Sequence, residues 1–228
     1  IEGRIAEHAG GVRDPAIGRQ RHAAEGLPGE VRHAARDHAR ALLCAQAQDR
    51  ALLAGLDEAV IDDLLDHKIT LMPGASVLTA TMRANAARCA LVSGGFRRFT
   101  RAVAARAGFD EEHANELLLH GGKLTGKVAE PIVGRAAKSA ALTALTKSLG
   151  LDRASTMAVG DGANDIDMLA AAGLGIAFRA KPRTEEAAAA ALRHADLTGL
   201  LFLQGYHRSE FIDATMPIAS SVRGQFVS

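Results

Sequence analysis

The sequence has no tryptophan and a single tyrosine, and no aromatic residue of any kind precedes Phe96. Cysteine is almost as scarce. Cys44 and Cys89 are the only two and lack metal-ligand spacing, which argues against a zinc site or disulfide framework and for free thiols in a reducing cytoplasm. Charge of one sign is also missing. With a formal net charge of +1 there is no basic surplus to neutralise phosphates, which argues against a general nucleic-acid binder. No apolar run approaches the roughly 20 residues needed to cross a bilayer, and the N-terminus has no signal-peptide apolar core, so no membrane partner is expected. Lysine is absent before Lys68, while the first fifty residues hold four of the nine histidines. This shift sets residues 1–50 apart from the rest. Ile1-Glu2-Gly3-Arg4 also matches a protease-cleavage tag, and a tag remnant is one reading of it.

What is there suffices for an α/β domain with a smaller appended module. The 228 residues are 48% hydrophobic and 23% charged, ordinary values for a globular chain able to bury a core. Residues 30–48 read as helix, and Leu52 to Asp66 as a second helical region with Leu53, Val60, Leu64 and Leu65 as its apolar positions. Met72-Pro73-Gly74 ends it, and Ala75 to Asn85 reads as another helix. From Cys89 onward strands appear. Cys89 to Ser93 is a short apolar run, closed by Gly94-Gly95 and followed by a helix from Phe96 to Ala107. Two short runs around Gly121-Gly122 predict a β-hairpin. Arg135 to Leu149 predicts an amphipathic helix with Ala137, Ala141, Leu142, Leu145 and Leu149 on one face. Thr156 to Gly160 and Leu174 to Phe178 are predicted strands, with a helix through Ala172 between them and another from Thr184 to Arg193. Strands alternating with helices at this spacing predict a parallel sheet covered on both faces.

Three features sit where such a sheet gathers ligands, beyond the C-terminal ends of its strands. In Ser93-Gly94-Gly95 the glycines let backbone N–H groups approach an anion, and the following helix N-terminus favours negative charge; the same tripeptide also serves as a plain turn. Asp161-Gly162-Ala163-Asn164-Asp165 brings two carboxylates and an amide together. Hard oxygen donors of this kind suit Mg²⁺, although they equally cap a helix. Lys138, near the start of its helix, reads alone as a solvated charge. The order of the three along the chain is more informative than any one of them. Asp167 falls on the helix after the loop and takes no role.

That order carries a family resemblance. Val92-Ser93-Gly94-Gly95-Phe96 resembles the second motif of the phosphoserine phosphatases of the haloacid-dehalogenase superfamily. Ala114-Asn115-Glu116-Leu117 and Gly122-Lys123-Leu124-Thr125-Gly126 resemble the hairpin region after it, and Lys138 matches the third-motif lysine. Val159 to Asp165, with Met168-Leu169 and Ala172 to Phe178, resembles the fourth motif and its next strand, and Ala180-Lys181-Pro182 continues the likeness. The resemblance runs from about Leu52 to Gly205. It implies an α/β fold with a parallel-sheet, Rossmann-like hydrolase core. A helical cap is expected from residues 1–74 (1–50 matching the family poorly), the core from 75–211 and a tail from 212–228. It also implies a Mg²⁺-dependent, cytoplasmic hydrolase of a small phosphomonoester, phosphoserine, in which an aspartate attacks phosphorus and water then releases the phosphate. By match, Ser93 and Gly94 would bind phosphate, Lys138 would neutralise it, Asp161 would hold Mg²⁺, Asn164 would contact the phosphate and Asp165 would support the loop. Arg50, one residue out of register, stands for the substrate-binding arginine.

One departure is large. The family's nucleophile and acid/base group come from Asp-x-Asp-x-Thr on the first, central strand, and no such motif occurs here. The aspartates before Ser93 are Asp14, Asp37, Asp49, Asp57, Asp62, Asp63 and Asp66, none in a buried-strand pattern. Ile5 to Gly10 resembles the sequence just downstream of the missing motif, so the chain is expected to start a few residues too late, or to be altered at the gene level across residues 11–49. The expectation is a phosphoserine phosphatase by descent, inactive in this chain. A non-catalytic phospho-ligand-binding or regulatory protein, and a phosphatase for another small phosphomonoester, remain as alternatives.

Overall fold

The computed structural model describes residues 53–213. Arg50 and Cys44 lie outside them, as do the predicted helix over 30–48 and most of the tail. The described chain opens with helix α1 (Ala59–His67), which starts later than the apolar spacing predicts. Gly55 has a left-handed φ of +85°, and the Asp57 carboxylate accepts from the Ala59 N–H at 2.9 Å, so the chain turns before it coils. α1 buries Ile61 and Leu64. Helix α2 (Ala75–Ala84) follows Gly74. A Cβ on Gly74 would lie 2.8 Å from the Thr198 nitrogen, and its φ is +82°, so contact and conformation both demand glycine there.

Strand β1 (Ala90–Phe96) runs through Gly94-Gly95 instead of turning at them. Helix α3 (Arg97–Ala107) then returns to strand β2 (Glu111–Asn115), parallel to β1. The sequence hid β2 because Glu111-Glu112-His113 is polar; only Ala114 and Asn115 at its end are buried. The predicted hairpin is present as β3 (Leu117–His120) and β4 (Lys123–Val128). Helix α4 (Arg135–Ser148) matches its predicted span, but the one residue it buries is Lys138; Leu149, expected on the apolar face, is exposed.

Strand β5 (Met157–Gly160), helix α5 (Ile166–Ala171) and strand β6 (Leu174–Phe178) follow. The alanine-rich stretch predicted as one helix divides instead into helix α6 (Pro182–Glu186) and strand β7 (Ala190–Leu192). β7 pairs in parallel with β6, placing Ile176 beside Ala190. Sheet pairing therefore overrides the helix propensity of alanine. Helix α7 (Gly199–Leu203) closes the core, burying Leu200 and Leu201.

The parallel strands form two sheets, β1-β2 and β5-β6-β7. Among the described residues, the remaining edges of β1 and β5 have no strand partner. α2, Ala107 of α3, Ile176, Phe178, Leu197, Leu200 and Leu201 form one apolar cluster. A second joins Leu53, Ile61, Leu64, Phe96, Phe99, Leu117 and Leu124, drawing residues from both sides of position 74. Arg98 ties the same contact from outside, reaching Glu58 at 2.8 Å and Asp62 at 2.7 Å. Exposed pairs of this sort add little stability, so burial holds α1 against α3.

Ile176 is fully buried in the larger cluster. Ile176→Ala should lower unfolding free energy by about 2–5 kcal/mol, seen as a lower urea midpoint with an unchanged slope. Leu118→Ala, at a side chain 40% exposed, should leave the midpoint nearly unchanged.

Candidate phosphate-binding site

Lys138 is 1% exposed and Asp165 3%. The Lys138 ammonium donates to one Asp165 oxygen at 2.7 Å. The other Asp165 oxygen accepts from the Asp161 N–H at 3.2 Å and the Gly162 N–H at 3.0 Å. One carboxylate thus holds both the lysine and the loop at the end of β5. Burial pushes the Asp165 carboxyl up, but the Lys138 charge and hydrogen bond, with the Gly162 N–H, outweigh it and hold the pKa below the usual carboxylate value. The bland reading of Lys138 as a solvated charge is overturned, because a desolvated ammonium needs this partner.

Two glycines make the loop possible. A Cβ on Gly160 would overlap Asp165, and one on Gly162 would lie 2.5 Å from the Asn164 side-chain oxygen. Asn164 is therefore folded back over Gly162. The sequence signal for both is the glycine on either side of Asp161. Asp167 is on α5 and forms an exposed two-point pair with Arg135, at 2.6 Å and 2.5 Å.

Ser93 is 6% exposed, and its hydroxyl oxygen accepts from the Gly95 N–H at 2.9 Å. Gly94 offers its carbonyl to Asn115, 2% exposed, whose side-chain nitrogen donates at 2.7 Å. The Asn115 side-chain oxygen accepts from the Val133 N–H at 2.7 Å, and Val133 immediately precedes the Gly134 N-cap of α4. The structure therefore brings Lys138, Asp165 and the Asp161-Gly162 backbone into direct contact. It links Ser93 and Gly94 to the helix bearing Lys138 through Asn115. Nothing local in the sequence marks Asn115 as buried, because the strand it ends is itself hidden there by Glu111-Glu112-His113.

Among the described residues, no group of three or more His, Cys, Asp or Glu side chains comes together as a metal-binding set. Asp161 stands at the end of β5, and the Asp165 carboxylate is bonded to Lys138. A single hard oxygen donor fits Mg²⁺, which keeps several waters and takes only one or two carboxylates.

The depressed Asp165 pKa fixes the sign of a pH effect. The stability it contributes is complete above the unfolded-state value of about 3.9 and is lost as pH falls below that toward the folded-state value. At pH 7, Asp165→Ala should destabilise by about 3–5 kcal/mol, because it removes a carboxylate bonded to a buried ammonium and to the Asp161 and Gly162 N–H groups. Urea unfolding should show that the double replacement Lys138→Met, Asp165→Leu costs less than Asp165→Ala alone.

Comparison with known proteins gives a consistent assignment. The family model of haloacid dehalogenase-like hydrolases matches residues 5–170. Phosphoserine phosphatase SerB2 of Mycobacterium tuberculosis is 49% identical over 160 residues, covering 70% of this chain and 39% of that protein. The chain thus spans about two fifths of that relative's length. A phosphoserine phosphatase of Albidiferax ferrireducens is 35% identical over 192 residues, covering 82% of this chain and 79% of the relative. A solved phospho-aspartyl intermediate analogue of phosphoserine phosphatase superposes with a TM-score of 0.66 at 31% identity, covering 75% of this chain and 85% of the other. No helix among the described residues is long and apolar enough to cross a membrane. The shared parallel-sheet fold and the extent of the sequence match establish that the chain belongs to the haloacid dehalogenase-like hydrolases, in the phosphoserine phosphatase family.

Proposed function

We propose that this chain carries the phosphate- and metal-recognition part of a phosphoserine phosphatase site, and that the 228-residue chain as it stands does not turn phosphoserine over. The observation that carries the reading is the buried Lys138–Asp165 pair at 2.7 Å. Burying an ammonium costs several kcal/mol unless strong partners offset it, which is a poor arrangement for stability alone and a good one for holding a cation beside an incoming phosphate. Ser93 and Gly94 would bind phosphate oxygens, Lys138 would neutralise their charge, and Asn164 would contact the group from the loop after β5. Asp165 would hold Lys138 and the loop, and Asp161 would supply a carboxylate to Mg²⁺. When bound, Mg²⁺ would add positive charge against the transferring phosphoryl group. Phosphoserine is the small-molecule substrate favoured by the phosphoserine phosphatases it resembles, and Arg50 is the residue proposed to meet its serine portion. A cytoplasmic setting agrees with the scarcity of cysteine.

Turnover itself needs a carboxylate in line with phosphorus to form the phospho-enzyme and an acid/base group to assist the leaving serine. The family takes both from Asp-x-Asp-x-Thr, and this sequence contains none. Its one Asp-x-Asp, Asp165-Ile166-Asp167, has its first carboxylate on Lys138 and its second on Arg135.

Release of phosphate from phosphoserine by this chain should remain at the buffer rate, with no acid-stable phosphoryl label on the protein. Calorimetry should show weak Mg²⁺ binding that Asp161→Ala abolishes. Turnover near that of a complete relative would contradict the first expectation. Equal Mg²⁺ affinity in both chains would show that Asp161 serves only the loop.

A further inference from the structure

The two halves of the proposed site end different sheets, and among the described residues those sheets share no ladder. Among the described residues, hydrogen bonds of a buried side chain rather than strand pairing connect Ser93-Gly94 with the start of the helix that carries Lys138. We infer that Asn115 is the positioning residue that sets their spacing, and that it also orients the Ser93 hydroxyl toward the anion. The inference rests on the anion-site reading above for its consequence in binding, but not for its geometry.

Asn115 is the last residue of β2, opposite Phe96 in the parallel register, and the register shifts between Val92 and Phe96. That irregularity leaves the Gly94 carbonyl to a side chain. The Asn115 side-chain nitrogen takes it at 2.7 Å. In a trans peptide the carbonyl and the next N–H point opposite ways. Fixing the Gly94 oxygen therefore aims the Gly95 N–H at the Ser93 oxygen, 2.9 Å away. A serine hydroxyl has one hydrogen to give and two lone pairs. With a lone pair occupied by Gly95, its own hydrogen is directed elsewhere, as donation to a phosphate oxygen requires.

The other end of the same amide sets the second half. Its oxygen accepts from the Val133 N–H at 2.7 Å, and Gly134 next in sequence accepts from the Lys138 N–H at 3.2 Å in the first turn of α4. One buried side chain thus spans from the glycine loop to the helix whose lysine meets Asp165. Aspartate has the same shape but, when ionised, cannot donate to the Gly94 carbonyl, while it still accepts from Val133.

The test uses Asn115→Asp and Asn115→Leu in the full chain. Amide exchange is read first, with the Leu169 amide, bonded to Asp165 at 2.8 Å, as an internal control. Asn115→Asp should speed exchange at Gly95 and leave Val133 protected, whereas Asn115→Leu should speed both, with Leu169 unchanged. Inorganic phosphate affinity at pH 7 should fall about tenfold in Asn115→Asp, the worth of one lost positioning hydrogen bond. The deficit relative to the parent should narrow near pH 4.5, where the introduced carboxyl, buried against a carbonyl, is protonated and donates again. Unchanged Gly95 exchange in Asn115→Asp overturns the inference whatever the ligand does. Uniformly faster exchange, Leu169 included, also overturns it, in favour of a merely structural role. If Gly95 responds as stated but the parent binds no phosphate, the positioning geometry stands and the anion-site reading fails.

Discussion

A desolvated ammonium governs this site. Lys138 is buried near the start of α4, and the carboxylate facing it belongs to a loop 27 residues later in the chain. That pairing sets most of the surrounding sequence. Asp165 must reach back to the end of β5, so Gly160 can carry no side chain, while the close approach at Gly162 is made by Asn164. The second Asp165 oxygen gathers the Asp161 and Gly162 N–H groups, so the loop keeps one shape. α4 buries a lysine where an ordinary amphipathic helix would bury leucine, and its apolar residues lie half-buried or exposed around it. Such a pair is weak as a stabiliser. Its value lies in holding a positive charge in a fixed place with little solvent to screen it.

The second constraint is the division of the parallel strands into β1-β2 and β5-β6-β7. Strands with an unpaired edge usually find a partner or a cover; among the described residues β1 and β5 each keep such an edge, near the residues that would meet a phosphate. Among the described residues no strand ladder crosses that division, and beside the site it is bridged by side chains. The Asn115 amide reaches from Gly94 to Val133, and the Lys138–Asp165 pair continues to the β5 loop. The apolar cluster around Ile176 and Leu200, which includes Ala107 of α3, packs the two halves together behind the site.

Much of this was legible in the sequence, for identifiable reasons. Apolar runs marked β1, β5 and β6, the first two closed by glycine, and Gly121-Gly122 marked the hairpin. The order of Ser93, Lys138 and Asp161 marked the proposed site. The misses share one cause, which is contact with distant residues. Glu111-Glu112-His113 looks like loop and becomes strand because β1 offers it a backbone ladder. Ala190-Ala191-Leu192 looks helical and becomes strand because β6 does the same. Asn115 had no local signature, since its role depends on Gly94 and Val133, 21 and 18 residues away. Of the apolar face expected on α4, Ala137, Ala141, Leu142 and Leu145 are half-buried and Leu149 is exposed, while the buried residue is Lys138.

The central claim is that Ser93, Lys138 and the loop at Asp161 converge on one anion. It is tested most directly by thermal unfolding in increasing inorganic phosphate, with the parent chain, Ser93→Ala and Lys138→Met compared. A ligand that binds only the folded state raises Tm with the logarithm of its concentration. The account predicts a rising Tm in the parent, a smaller rise in Ser93→Ala, and a cooperative melt with no rise in Lys138→Met. A flat parent curve, or an equal rise in Lys138→Met, would contradict it.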